Sequence, residues 1–336
     1  MGKEDISIKK VIVHILDSYI SMPVLSDKEL EHGSDLSDFL KAHIYRIISG
    51  DDIKKCYFGN EDMAIYNCIK EMNEDNFIEN SKTLATKLFE IMHENGDIPP
   101  ADLFVVVYHY CGRDYLGLLK MNYKSSYTHT TGNEEGANNN DIIKYKAILP
   151  SEGQRLNEAI IVDLQDFSVR IMEKKYEING KKDFYLSNKF LGCISELSQK
   201  TKMTIVTKAV EQVNKKYFED DFDKQMQAKS IISKEIEDKG CIVVNEVAEK
   251  IFMGDPELKE EFTEKVDRYN IANDTIIPQS KTTTRKLEKQ HLTTDSGIEI
   301  KIPMELYNEE DGIEFITNED GTMSMLIKNI NKITSK

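Results

Sequence analysis

The sequence predicts an α+β protein: a mainly antiparallel sheet with flanking helices, then a smaller C-terminal region of helices and strands. Three observations predict it. The first is the stretch 102–123, DLFVVVYHYCGRDYLGLLKMNY, where runs at 103–110 and 115–123 flank the turn Cys111-Gly112-Arg113-Asp114. Valine, tyrosine and phenylalanine favour a pleated surface, and glycine adopts positive φ in a turn without penalty. A long hairpin in the middle of a sheet is expected. The second is a series of amphipathic helical patterns ahead of that hairpin. The third is a change of charge near residue 218. Residues 170–216 hold eleven Lys/Arg against five Asp/Glu, whereas 219–267 hold fifteen acids against seven lysines. The expected division is an N-terminal domain over 1–218 and a C-terminal domain over 219–336, acidic helices first and a β-hairpin last.

In order, 6–16 (ISIKKVIVHIL) is rich in β-branched residues and alternates, which predicts an opening strand. Ser34 is a good N-cap for a helix carrying Leu36, Phe39, Leu40, Ile44, Ile47 and Ile48 on one face and ending at Gly50. Two more helices are expected over 61–73 and 80–95, and Pro99-Pro100 forces an extended entry into the hairpin. The segment 125–141 is rich in Asn, Gly and Thr and reads as a mobile loop. Strands are expected at 142–148, 158–164 and 167–178. Asn179-Gly180 then makes a tight turn into a strand at 184–186, since both central residues of a type I′ turn need positive φ. From Ser187 the pattern turns helical, with a further helix over 202–218. Three acidic helices follow at 222–238, 244–252 and 256–269, the last opening on Pro256. The end is β again, at 298–302, 313–317 and 322–328, with Asp320-Gly321 at the last turn.

Composition narrows the function. A 40% hydrophobic fraction in 336 residues supplies a real core. The net charge of −15 repels nucleic acid and anionic membranes at long range. A nucleic-acid role therefore needs a local basic patch or a partner. The five cysteines, Cys56, Cys68, Cys111, Cys193 and Cys241, are scattered without CxxC spacing, and free thiols in a reducing compartment are expected. MGKEDISIKK lacks the apolar core of a signal peptide, Ile6 replaces the Ser or Thr of a myristoylation signal, and no uncharged apolar run reaches ~18 residues. No membrane partner is expected.

No P-loop, Rossmann fingerprint, nucleophile elbow or H-E-x-x-H motif occurs, so neither a cofactor cradle nor a catalytic site is read here. His109 and His129 lie near Asp102 and Cys111 in the sequence, but an alternating strand explains His109 without chemistry. The acids at 219–223 lack the central glycine of a calcium loop and fit a helix N-cap better. Lysines carry more weight. Lys174, Lys175, Lys181, Lys182 and Lys189 surround the Asn-Gly turn, and Lys200, Lys202, Lys208, Lys215 and Lys216 follow on helices. Such a set neutralises phosphates without reading bases, while the plainer reading is a solvated face offsetting the acidic helices. A smaller cluster, Lys281, Arg285, Lys286 and Lys289, sits beside Thr282-Thr283-Thr284, where hydroxyls and cations together suit phosphate contacts or an ordinary linker.

The blocks ISIKKVIVHILD, LFVVVYHYCGRDYLGLLKMN, NEAIIVDL, KKDFYLSNKFLGC, TTRKLEKQHLTTDSGIEIKIPMELY and DGIEFITNEDGTMSMLIKN resemble, in order and spacing, the bacterial nucleoid-associated protein family of the NdpA/YejK type. The resemblance covers residues 6–330. It implies a cytoplasmic protein of the nucleoid that binds double-stranded DNA, and it carries no catalytic residues. The alternative is a protein-interaction module brought to the nucleoid by a DNA-processing enzyme. A third reading, an enzyme such as a nuclease, finds no constellation to support it. The sequence leaves the oligomeric state open, a homodimer included.

Overall fold

The computed structural model describes residues 2–59, 64–134, 136–218, 221–308 and 312–334. Its contacts divide the chain into two compact units, Met1–Leu197 and Ser198–Lys336. The division falls before the helix that ends at Phe218 rather than after it. That helix buries Met203, Val206, Val210 and Val213, and its Lys216 pairs with Glu261 of the second unit, so its packing outranks the change of charge along the chain.

The first unit opens with β1 (Ser7–Leu16), α1 (Ser34–Ile48), β2 (Lys54–Phe58), α2 (Ala64–Lys70) and α3 (Phe77–Glu94). Residues 61–63 of the expected 61–73 helix lie outside the described residues, and α1 is capped by Gly33, with Ser34 already helical. The central hairpin is β3 (Ala101–Tyr110) and β4 (Arg113–Asn122), in register from Ala101–Asn122 to Tyr110–Arg113. Its turn needs only Cys111 and Gly112, at φ 52° and 80°. Next come β5 (Lys124–Glu134), β6 (Ala137–Ile148), β7 (Glu158–Asp163), β8 (Val169–Met172), β9 (Tyr176–Ile178), β10 (Lys181–Asp183) and β11 (Cys193–Ser195).

One antiparallel seven-stranded sheet, in the order β1-β3-β4-β7-β8-β2-β11, organises this unit. Alternate residues face opposite sides, and both sides are covered. Leu103, Val105, Leu116 and Ile160 pack with Leu84 and Leu88 of α3, while Phe104, Val106, Leu119 and Ile161 pack with Leu40, Ile44 and Ile47 of α1. Burial on both faces explains the dense apolar run of the hairpin. Each such side chain contributes about 1.5–3 kcal/mol of transfer free energy.

Four expectations in this unit are corrected. The strand expected at 184–186 stands earlier, as β10, because a two-residue turn pairs the residues that flank it, Ile178 with Lys181. The 125–141 segment is no loop: it forms most of β5 and the start of β6, which pair over nearly their whole length as a separate ribbon. Its Thr and Tyr residues satisfy a ladder that the Asn and Gly content concealed. The stretch after Ser187 is a single wide helical turn, Leu186–Leu191, ended by Gly192 at φ 57°, and then the edge strand β11. Finally, Cys56 and Cys193 are joined in a disulfide between β2 and β11, and Cys68, Cys111 and Cys241 are not disulfide-bonded. Cys193 pairs with Phe58 and Ser195 with Cys56, so the two sulfurs share a face two residues apart in register. Their separation of 137 residues made that proximity invisible in the sequence.

The second unit holds α4 (Gln199–Phe218), α5 (Phe222–Lys239), β12 (Ile242–Val243), α6 (Val244–Ile251), α7 (Pro256–Asp267), β13 (Thr275–Ile276), α8 (Lys281–Glu288), β14 (Lys289–Thr293), β15 (Glu299–Pro303), α9 (Met304–Asn308), β16 (Ile313–Thr317) and β17 (Met323–Ile327). Met226, Ile232, Val247, Phe262 and Val266 form its helical core, and β14–β15 and β16–β17 are two separate hairpins. The three acidic helices stand within a residue or two of their expected bounds.

Candidate nucleic-acid interface

The basic hairpin is built from the inside outward. Glu158, fully buried at the start of β7, accepts hydrogen bonds from Lys120 Nζ (2.9 Å), Asn122 Nδ2 (2.9 Å), Tyr176 OH (2.9 Å) and Tyr185 OH (2.5 Å). Lys120, itself buried, also donates to Asn122 Oδ1 and to the Pro99 carbonyl. Burial pushes the Glu158 carboxyl upward, but the Lys120 charge and the hydrogen bonds from Tyr185, Lys120 and Asn122 outweigh it. The group titrates below its ordinary value. Sequence reasoning missed this network. Its only signals were a glutamate opening the run EAIIVD and a lysine inside LGLLKMN.

Tyr176 and Tyr185 bracket β9 and β10, so two hydroxyls on one carboxylate hold the hairpin at both ends. Ile178, Leu186, Phe190 and Leu191 pin it into the same core cluster. Asn179 and Gly180 make the turn at φ 51° and 77°, as the type I′ reading requires. What this scaffold presents is cationic. Lys174, Lys175, Lys181, Lys182 and Lys189 are all exposed. Lys174 lies 5.6 Å from the Tyr176 ring centroid and Lys175 4.9 Å from that of Phe184. None of the five forms an ion pair among the described residues. Two local acids are occupied elsewhere: Glu173 by Lys54 and Ser187, and Asp183 by Asn188.

The remaining cations belong to the second unit and form a different population. Lys202 pairs with Asp274 at 2.8 Å and Lys216 with Glu261 at 2.5 Å. Lys200, Lys208 and Lys215 are exposed on α4. Arg285 is exposed on α8, and the side chain of Lys286 lies outside the described residues. The sequence grouped ten lysines as one segment, and the structure divides them between two units.

Other candidates resolve into local roles. His109 Nδ1 lies 2.7 Å from Asp114 Oδ1 and Asp102 accepts from Tyr123 OH at 2.6 Å, at opposite ends of the central hairpin. His129 sits in β5, so these groups do not converge on Cys111. Asp221 caps α5 by accepting from the Lys224 amide at 3.2 Å, while Glu219 and Asp220 lie outside the described residues. No group of three or more His, Cys, Asp or Glu among the described residues has the geometry of a metal site. Among the described residues, no helix is long and apolar enough to cross a membrane.

The chain matches the model of the family described as nucleoid-associated protein YejK over residues 12–334. No curated protein matches it.

Proposed function

Because the chain belongs to the nucleoid-associated protein YejK family, we propose that it binds double-stranded DNA through the phosphate backbone, without strong sequence preference. The nucleoid role and the location in the bacterial nucleoid follow from the family. The observation that supports direct contact is the set of five exposed lysines, without ion pairs among the described residues, on one rigidly anchored hairpin. Phosphates neutralised there release counterions, which gives affinity that falls steeply with salt. The chain as a whole carries −15, which disfavours contact with DNA away from local basic patches. Lys200, Lys202, Lys208, Arg285 and Lys286 form a secondary set of contacts in this reading.

A second reading is a protein-interaction module recruited by a DNA-processing enzyme. The net charge favours it, as do the acids that already neutralise Lys202 and Lys216. Retention of duplex DNA at low salt separates the two. Direct binding requires retention, and Lys181→Glu with Lys182→Glu and Lys189→Glu lowers the slope of log affinity against log salt by up to about 0.9 for each phosphate no longer neutralised. No retention at low salt, with recovery of a DNA enzyme after nuclease treatment, establishes the second reading instead. We assign no enzymatic step; a scan for divalent-dependent cleavage of duplex and single-stranded DNA and RNA tests that.

A further inference from the structure

The Cys56–Cys193 link belongs to a protein of the bacterial nucleoid. That compartment is reducing, and disulfides in it are usually transient ones that serve catalysis or redox sensing. The place of this link in the sheet gives it the means to open. β11 is the last strand of the seven-stranded sheet, is three residues long, and pairs with β2 alone among the described residues. Its ladder sets Cys193, Ile194 and Ser195 against Phe58, Tyr57 and Cys56, and the Glu196 amide adds a bond to the Lys55 carbonyl at 2.9 Å. The outer face of that ladder is wet, with Ile194 73% and Tyr57 54% exposed. The two cysteines face the core, in one cluster with Phe190 and Leu191. Fraying of a short edge ladder is among the least costly openings of a sheet. Here it bares the sulfurs and leaves the rest of the sheet paired.

We propose that Cys56 and Cys193 are a reversible redox site, closed by a low-molecular-weight disulfide and opened by the matching thiol, whose state sets whether the Lys189 end of the basic hairpin is tied down. In closing, the Cys193 thiolate attacks one sulfur of the small disulfide, so a mixed disulfide forms and one small thiolate leaves. The Cys56 thiolate then attacks the Cys193 sulfur, the internal bond forms, and the second small thiolate leaves. The two cysteine protons end on the two departing thiols. Two electrons pass from the cysteines to the small disulfide, and opening runs the same steps in reverse. Cys193 is the point of entry because it lies on the edge strand. Cys68 does not compete: burial raises its thiol to about 11, which leaves little thiolate near neutral pH. Both states keep a packed core, since a buried thiol packs as a small apolar group. Tyr176 and Tyr185 hold one end of the segment to Glu158, and the disulfide holds the other at β11. Lys189 lies between these ties, exposed on the turn Leu186–Leu191. The closed state fixes both ends, and the open state keeps only the Glu158 end.

The full chain, equilibrated in glutathione buffers, alkylated and mapped by mass spectrometry, tests the site without DNA, so the result stands whatever the lysines bind. The link is expected to be closed at an oxidising poise and open at the reducing poise of a cytosol, and the change should reverse. Amide exchange over residues 189–196 should be at least about tenfold faster in the open state, while 176–185 and 101–122 keep their rates. Cys193→Ala should show the fast exchange in both buffers, and Cys56→Ala serves as the second variant should the first fail to fold. A link that stays closed at the reducing poise is a permanent staple and overturns the proposal, as does one that never closes at the oxidising poise. Opening that speeds exchange throughout the first unit, or that leaves 189–196 as slow as before, overturns it as well.

Discussion

Glu158 is the residue on which the basic hairpin depends, because two tyrosine hydroxyls and an ammonium converge on its carboxylate. Lys120→Met leaves that charge buried without its counterion and is expected to cost about 3–5 kcal/mol in urea unfolding. Glu158→Gln keeps the shape but donates where it must accept. Faster amide exchange over residues 176–185 would register the loosened hairpin before global unfolding. His14 gives a pH-dependent counterpart. It is fully buried, its Nδ1 accepts from the Ser26 amide at 3.1 Å, and its Nε2 lies 3.0 Å from Ser81 Oγ. Burial, and then the Lys82 charge, lower its pKa from 6.5 to about 4. The unfolded chain therefore binds the proton first as pH falls. The contribution of His14 is complete above about pH 6.5 and is lost between there and pH 4, on the order of 3 kcal/mol at most. His14→Gln should flatten that part of a stability-versus-pH curve. Glu158, held below its ordinary value, adds its own loss only at lower pH.

At the scale of elements, the Asn179-Gly180 turn and the Cys56–Cys193 link tie down the neighbourhood of the lysines. A Cβ at Gly180 meets nothing within 4 Å, so Gly180→Ala acts through φ +77° alone and should destabilise by about 1 kcal/mol. The disulfide fastens β11 to β2 at the edge of the sheet. Thiol titration of the denatured, unreduced chain should count three reactive cysteines, and reduction should lower stability by about 2–4 kcal/mol. A count of five would remove the link. Elements with strong periodicity, such as α3, α5, α7 and β16, were legible from the sequence to within a few residues. The ribbon was not, because Asn, Gly and Thr read as a loop wherever no buried face imposes alternation. The turn at 186–191 misled for the opposite reason: its apolar residues face the core, yet they follow neither a strand nor a helix period.

Over the whole molecule, the lysine set divides between two compact units, and that division has a measurable consequence. Reversing Lys181, Lys182 and Lys189 in the first unit, and Lys200 and Lys208 in the second, should lower the salt slope of DNA binding by amounts that add. If the first set carries the whole effect, α4 is not part of the interface. An effect smaller than the sum would mean that the two sets compete for the same phosphates.

By itself the sequence determined the α+β class, the central hairpin, the acidic helices and the kinship with nucleoid-associated proteins, because periodicity, turn residues and ordered motif blocks are local properties of the chain. It also located the lysines. Only the tertiary structure decided which lysines share a scaffold, that a buried carboxylate holds that scaffold, that Cys56 meets Cys193, and that residues 124–148 stand as a ribbon. The carboxylate and the disulfide depend on partners far apart in the chain, brought together by one sheet whose register no local pattern records, whereas the ribbon is a local pairing without a buried face to mark it.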